Sequence, residues 1–428
     1  MKTFIISFKN YIGLILLILL NLSCGFVNRV DFNANHKLSP LLTGLDVLEK
    51  NQFNELKGKR IGLITNQTGV NKKLVQNIKL FMNSKNVDLR AIFTPEHGLF
   101  GSVTAGKKIN SDGDKLFGFP IHSLYGDSKK PTADMLKGLD LIIFDIQDIG
   151  IRSYTYISTM GLAMEAAAEN KIEFMVLDRP NPLGLKKVEG NILDINFQSF
   201  IGKYPLPYVY GLSCGELAIM INESGWIGTD KCKLTVIKME NIYREIDPES
   251  IYKNWVPTSP HVPLLSTPSY MVSTGILGEL GVFSIGVGYT LPFRTIAAPW
   301  IDHDLLSDEL NLLGLKGVIF RPIQYSPYYG IYEGQQVQGV QIFITNKKLA
   351  DLITIQFYFL EVHNRLYPHK NPFKIASKEE IDMFDKALGT DTIRKVFSDS
   401  FDVRSIKNNL LPELENYIIM AKKYYLYD

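Results

Sequence analysis

Asp145, Gln147, Asp148, Arg152, Tyr154 and Tyr156 place two acids, an amide, a guanidinium and two phenols in one short stretch. They follow a mostly apolar run, Leu139 to Phe144, that is long enough for a buried strand and too short for a helix. After them comes Thr159 to Glu169, rich in Ala and Met and strongly helix-forming. The order is strand, polar loop, helix. In an open α/β sheet, the loop leaving the carboxyl end of a strand is where ligands bind. This mixture of groups suits a polyhydroxylated ligand. The plainer alternative is an Asp148–Arg152 ion pair that ties the loop down.

Other strand ends carry similar side chains. Lys59 to Thr65 reads as a strand and leads into Asn66 and Gln67, with a helix-like stretch from Leu74 to Ser84. Asp88 to Thr94 ends in Pro95-Glu96-His97-Gly98, and Glu173 to Leu177 leads into Asp178, Arg179 and Asn181. Leu234 to Ile237 is a further strand. Strands alternating with helices predict an α/β fold with a mostly parallel sheet, whose strand-end loops converge on one cleft. Glu96 is the best candidate for chemistry, because Pro95 and Gly98 fix the turn around it. A carboxyl at the mouth of a cleft can be held protonated by burial and act as a general acid. The alternative is a carboxylate accepting backbone hydrogen bonds in a tight turn. His97 alone reads as a hydrogen-bonded spacer.

Several chemistries find no support. Gly211-Leu-Ser-Cys-Gly215 fits the nucleophile elbow of serine hydrolases, but two prolines interrupt the segment before it. Ser213 and Glu216 instead form a capping box ahead of an apolar run. A dinucleotide fingerprint, a zincin motif and an EF-hand loop are all missing from the sequence. Asp145, His97 and His122 are scattered without metal-ligand spacing.

The texture changes at Trp255-Val-Pro-Thr-Ser-Pro-His-Val-Pro263, which is too proline-rich for regular structure and reads as an extended connection or cleft wall. A Gly-rich span from Gly275 to Gly288 follows, with Glu279 and Arg294 as its notable charges. Val337 to Thr345 alternates like a strand, while Leu349 to Tyr367 and Glu413 to Tyr425 read as helices. The expected organisation is a first domain over 44–254 and a smaller α+β domain over 255–428.

The 428 residues, 46% hydrophobic and 21% charged, suffice for a large buried core. A formal charge of +2 without a basic run argues against nucleic acid as a partner. Met1 to Ser23 has a Lys2/Lys9 n-region and an apolar stretch from Tyr11 to Leu22, the pattern of an export signal. Its removal takes two lysines and no acids, leaving 44 basic against 44 acidic residues. Leu22-Ser23-Cys24-Gly25 then resembles a bacterial lipobox, with Asn21 where leucine is usual. Cys24 would be acylated, anchoring the protein to a membrane through a tether over 24–43. The alternative is an ordinary cleaved signal. Cys214 and Cys232 are expected as buried free thiols.

Taken in order, these strings are similar to the NamZ/YbbC-like exo-β-N-acetylmuramidases, exported bacterial glycosidases that recycle peptidoglycan. The resemblance is carried by Gly62-Leu-Ile-Thr-Asn-Gln-Thr-Gly69, Thr94-Pro-Glu-His-Gly-Leu-Phe-Gly101, Ser123-Leu-Tyr-Gly126 and Phe144 to Tyr156. Leu177-Asp-Arg-Pro-Asn-Pro182, Gly211 to Ala218, Pro292-Phe293, Ala298-Pro-Trp300, Gly389 to Arg394 and Tyr425-Leu-Tyr427 extend it over nearly all the mature chain. It implies a Rossmann-like N-terminal domain, a smaller C-terminal domain, a cleft between them, and no cofactor. It also implies removal of β-1,4-linked N-acetylmuramic acid from the non-reducing ends of peptidoglycan-derived glycan fragments. Glu96 corresponds to the proposed catalytic glutamate.

Glycoside cleavage needs a proton donor and a group that stabilises an oxocarbenium-like transition state. Glu96 is expected as the acid and Asp145 or Asp148 as the second carboxylate, although an N-acetyl sugar can supply its own acetamido nucleophile. Expected substrate contacts are Asn66, His97, Tyr125, Gln147, Arg152, Tyr154, Tyr156, Asp178, Arg179, Asn181 and Glu279. Three positions depart from the family pattern. Val282 replaces an asparagine, Val287 an arginine, and His261 the asparagine of Ser-Pro-Asn. If that arginine grips the lactyl carboxylate, Val287 cannot replace it. A divergent sugar preference and a non-catalytic, glycan-binding lipoprotein are therefore both open.

Overall fold

The computed structural model describes residues 39–103, 106, 117–252, 254–410 and 412–428. The expected signal segment, Cys24 and all but the last residues of the tether lie outside that range. From Leu41 onward the chain forms one compact unit. Among the described residues, eight strands fall in its first part: β1 (Arg60–Thr65), β2 (Asp88–Thr94), β3 (Ile121–Ser123), β4 (Leu141–Asp145), β5 (Glu173–Leu177), β6 (Val188–Glu189), β7 (Val209–Tyr210) and β8 (Leu234–Ile237). Six of them make a parallel sheet in the order β3-β2-β1-β4-β5-β8, while β6 and β7 pair as a small antiparallel ribbon. The order reverses between β1 and β4. A crevice therefore opens at their carboxyl ends, where the loops must part in opposite directions.

Both faces of this sheet are buried, as a parallel sheet requires. Ile61, Leu63, Leu141, Ile143, Met175 and Leu177 face one side, under Leu45 and Leu48 of α1 (Gly44–Lys50) and Ile78 and Phe81 of α2 (Asn77–Met82). Ile64, Ile142, Phe144, Phe174 and Val176 face the other, against α3 (Tyr156–Glu169) and α4 (Cys214–Glu223). The capping box at α4 forms as expected: the Ser213 hydroxyl accepts from Glu216 N–H, and the Glu216 carboxylate accepts from Ser213 N–H. Cys214 and Cys232 are separate buried thiols.

The second part is built on an antiparallel sheet, β10-β11-β9, formed by β9 (Thr295–Ala298), β10 (Val318–Tyr325) and β11 (Val337–Ile344). Around it lie α5 (Thr267–Gly278), α6 (His303–Leu312) and α7 (Ile355–Leu366). Two expectations shift. The helix expected from Leu74 begins at Asn77, because Leu74 is left-handed (φ 61°) and the Asn71 side chain accepts from Lys73 and Val75 N–H. Part of the Gly-rich span is helix α5, where the hydroxyls of Ser273 and Thr274 bond to carbonyls one turn back and so can be buried.

Buried polar anchors hold the loops at the carboxyl end of the sheet. Asp145 receives Arg179 Nε at 2.7 Å and Asn77 Nδ2 at 2.7 Å, with both members of the ion pair excluded from solvent. Arg152 is equally buried and, among the described residues, has no carboxylate on it. Its guanidinium donates to the carbonyls of Asn191, Leu206, Ala387 and Leu388, and burial lowers its pKa to about 10. Gly389 accommodates this arrangement: its φ is 79°, and a β-carbon there would stand 2.6 Å from Arg152 Nη2. Asp178 accepts from Ser213, Gly215 and Tyr427. Asp148 accepts from Gly150 N–H and the Tyr210 hydroxyl, and burial pushes its carboxyl up to about 6.

Two outcomes follow from these anchors. Arg179→Met strands the Asp145 carboxylate in the interior and is expected to cost about 3–5 kcal/mol in urea unfolding. Adding Asp145→Asn should recover part of that loss. Asp148→Asn removes a titration whose folded value lies above its unfolded value. Between about pH 4 and 6 the native state keeps this proton while the unfolded chain releases it, so the group's contribution falls as pH rises and is level above that window. Relative to Asp148→Asn, the parent should lose on the order of 2–3 kcal/mol between those limits. Urea midpoints for the two proteins that stay parallel from pH 4 to 7 would refute a buried, protonated Asp148.

Candidate active site

Glu96 leaves β2 in a turn made by two consecutive left-handed residues, His97 (φ 71°) and Gly98 (φ 75°). The turn sends the carboxyl back over the sheet edge, where it is only 8% exposed. Gly106 N–H donates to Oε1 at 2.9 Å and the Thr155 hydroxyl donates to Oε2 at 2.7 Å. Tyr125, following β3, brings its phenol to the same carboxylate. Burial, then the charge and hydrogen bond of Glu96, push that phenol up to about 12, so it stays a neutral donor. Three donors from three segments therefore fix the direction of one carboxyl.

Thr155 occupies the N-cap of α3 but makes no capping bond to its own helix. An N-cap side chain is typically worth about 1 kcal/mol to a helix. Here the hydroxyl is spent on Glu96 instead, a local conflict of the kind that accompanies function. Nothing in composition marks Thr155 out. The available signal was its place between Tyr154 and Tyr156 in a motif dense with polar groups.

The 255–263 connection supplies the facing wall. Tyr154 donates to the Thr258 hydroxyl and Tyr156 to the Thr258 carbonyl, the two rings meeting edge to face at 4.8 Å. Gln67 donates to the carbonyls of Pro257 and Thr258. Gly101 (φ 67°) is required beside it, since a β-carbon there would lie 2.2 Å from the Gln67 amide. His97 donates through Nδ1 to the Val103 carbonyl at 2.7 Å. His261 bonds Tyr329, and burial followed by the nearness of His97 disfavours its charged form.

The expected site residues thus divide into two groups. Glu96, His97 and Tyr125 gather at the carboxyl end of the sheet, while Tyr154 and Tyr156 are buried next to them with their hydroxyls on Thr258 and Asn66 donating to the Tyr156 hydroxyl. The others point inward. Asp145, expected as a second carboxylate, is occupied by Arg179 and Asn77. Asp148 turns to Tyr210 and does not pair with Arg152. Gln147 donates to the carbonyls of Asp148 and Pro180, and Asn181 to that of Leu212. Arg152, Asp178 and Arg179 are structural anchors, buried among backbone carbonyls, N–H groups and hydroxyls rather than lining the crevice. Glu279 stands apart, at the C-terminus of α5 beside a separate pocket. Among the described residues, no group of His, Cys, Asp and Glu has the clustering needed to hold a metal ion.

This arrangement can present a proton-transferring carboxyl to a ligand lying over the switch between β1 and β4. Known proteins share most of the chain. Two family models match end to end, "Exo-beta-N-acetylmuramidase NamZ, N-terminal" over residues 61–266 and "Exo-beta-N-acetylmuramidase NamZ, C-terminal" over 270–427. The peptidoglycan beta-N-acetylmuramidase NamZ of Bacillus subtilis (strain 168) is 38% identical over 395 residues, covering 92% of this chain and 93% of that protein. Two crystal structures of DUF1343 family proteins from Bacteroides fragilis NCTC 9343 are similar in fold. One aligns with a TM-score of 0.87 at 44% identity, the other with 0.72 at 27%, each covering 91% of this chain and 99% of its own. The chain belongs to the exo-β-N-acetylmuramidase NamZ family.

Proposed function

We propose that the protein is an exo-acting glycoside hydrolase that releases β-1,4-linked N-acetylmuramic acid from the non-reducing ends of peptidoglycan fragments, with Glu96 as the proton donor. The observation that carries this reading is the convergence of Gly106, Thr155 and Tyr125 on the Glu96 carboxyl at the carboxyl end of the sheet. The Glu96 proton passes to the glycosidic oxygen as the C1–O bond breaks, and the bonding pair leaves on the departing sugar. Positive charge then develops at C1 and the ring oxygen. Asp145 and Asp148 are engaged elsewhere; C1 is attacked either by water, which releases a proton to solvent, or by the sugar's own acetamido oxygen, giving an oxazolinium that water then opens with loss of a proton. Tyr154 and Tyr156 shape the floor of the sugar site from the α3 side.

The protein acts outside the cytoplasm in this reading, held at the cell envelope by an acylated Cys24. The charged n-region, the apolar stretch and the cysteine directly after it support that placement. Peptidoglycan fragments are then available where the protein resides.

Glu96→Gln keeps the shape of the side chain but has no proton to give. It is expected to lower kcat on a MurNAc–GlcNAc disaccharide by about 100-fold or more, with the disaccharide still bound in calorimetry. Equal turnover by parent and variant would remove Glu96 from the chemistry. Binding by both with release by neither would make the protein a glycan-binding lipoprotein. Thr155→Val leaves the acid in place but loosens its aim, so kcat should fall about tenfold with little change in KM. A rise in KM alone would assign Thr155 to substrate binding instead.

A further inference from the structure

A cavity of about 360 Å³ opens beside the Glu96 site, between the 148–156 loop and the second part of the chain. Ser153 forms part of one wall, two residues from the threonine that bonds Glu96. Gly330 forms part of the opposite wall and directly follows Tyr329, the partner of His261, which lies next to His97. Two segments of chain thus join the wall of this cavity to the Glu96 site. Its size is at the lower end of ligand pockets, on the order of 300–1,000 Å³.

The lining is apolar, with Met271, Phe283 and Val287 among its side chains, and it includes no lysine, arginine or histidine. Among the described residues that line it, Glu279 is the only charged one. Solvent still reaches Glu279, yet the apolar surroundings push its carboxyl up to about 7, and no cation pulls it back. Arg152 lies behind this wall, fully buried, with its guanidinium given over to carbonyls.

A carboxylate entering such a cavity would lose its hydration without gaining a cation, and would meet a second acid at the mouth. A neutral amide fares differently. It carries no charge to desolvate, and its N–H can donate to the Glu279 carboxyl. The N-acetylmuramic acid named for the family bears a lactyl carboxyl, which is free in the bare sugar and amide-linked wherever a peptide is attached.

Building on the muramidase reading, we infer that this cavity is a subsite for a lactyl group whose carboxyl is held in an amide, and that Glu279 and Val287 select the peptide-bearing sugar over the bare one. Glu279 selects by accepting from the amide N–H, which the free carboxylate lacks. Val287 selects by giving the carboxylate no partner.

The test compares two disaccharides, MurNAc–GlcNAc with a free lactyl carboxylate and the same compound capped as its lactyl L-alaninamide. Parent, Val287→Arg, Glu279→Gln and Glu96→Gln are each assayed for turnover and, by calorimetry, for binding. The parent is expected to favour the amide at least tenfold in kcat/KM. Val287→Arg, at a partly exposed position on the cavity wall, should move that ratio at least tenfold toward the free acid. Glu279→Gln should move it the same way by less. A parent that takes the free acid equally well or better overturns the subsite, and so does a ratio unmoved by both variants. If the parent cleaves neither compound, the muramidase reading fails while binding still decides the subsite: tighter binding of the amide supports it, and equal or weaker binding refutes it.

Discussion

A guanidinium buried without a carboxylate is the constraint on which the rest of this architecture leans. Arg152 keeps a full charge in the interior, and the fold compensates with four carbonyl dipoles drawn from three distant segments, at 191, 206 and 387–388. None of those segments can move independently without stranding the charge, which is costly in a low-dielectric interior. The loop that carries Arg152 also carries Thr155, whose hydroxyl aims Glu96. The direction of the Glu96 carboxyl is therefore tied to a buried cation on the same loop. The same loop sends Tyr154 and Tyr156 to Thr258, so one turn of chain links the sheet, the proline-rich connection and the C-terminal helices.

The proline-rich connection shows how irregular backbone is made part of a site. It forms no strand or helix, so its carbonyls have no ladder to satisfy them. Gln67 and Tyr156 donate to them instead. A stretch that looks like a linker by composition is thereby held as rigidly as the sheet it faces. Satisfying that backbone consumes side chains which sequence alone would assign to ligand.

That consumption marks the limit of what the sequence disclosed. The parallel sheet was legible because strands buried on both faces read as short apolar runs, and β2 and β5 match their expected bounds. Glu96 was legible because proline and glycine bracket it at a strand end. Asp145, Arg152, Asp178, Arg179 and Asn181 share that strand-end address, yet they turn inward. Within a loop there is no periodicity to separate inward from outward, and a buried anchor uses the same residue types as a binding site. Of the antiparallel sheet, only β11 stood out. β9 is four small or β-branched residues, and β10 interleaves apolar positions with Arg321, Pro322 and Gln324, a half-exposed pattern of low contrast. Helix α5 was hidden by its Ser, Thr and Gly content, which ordinarily signals loop and here is buried through bonds within the helix.

The Tyr427–Asp178 hydrogen bond spans 249 positions of chain. Asp178 directly follows β5, a strand that could pair with β4 as soon as the first part of the chain folds. One of its donors arrives only when residue 427 docks, and the adjacent Leu426 N–H simultaneously completes the partners of buried Glu216. Until then the half-made sheet holds two buried acids that are incompletely satisfied. Contacts of such long separation are slow to form and leave partly folded chains exposed to association. Residues 426 and 427 thus act as a latch on folding: a chain in which they have not docked has the sheet in outline and an unsealed interior.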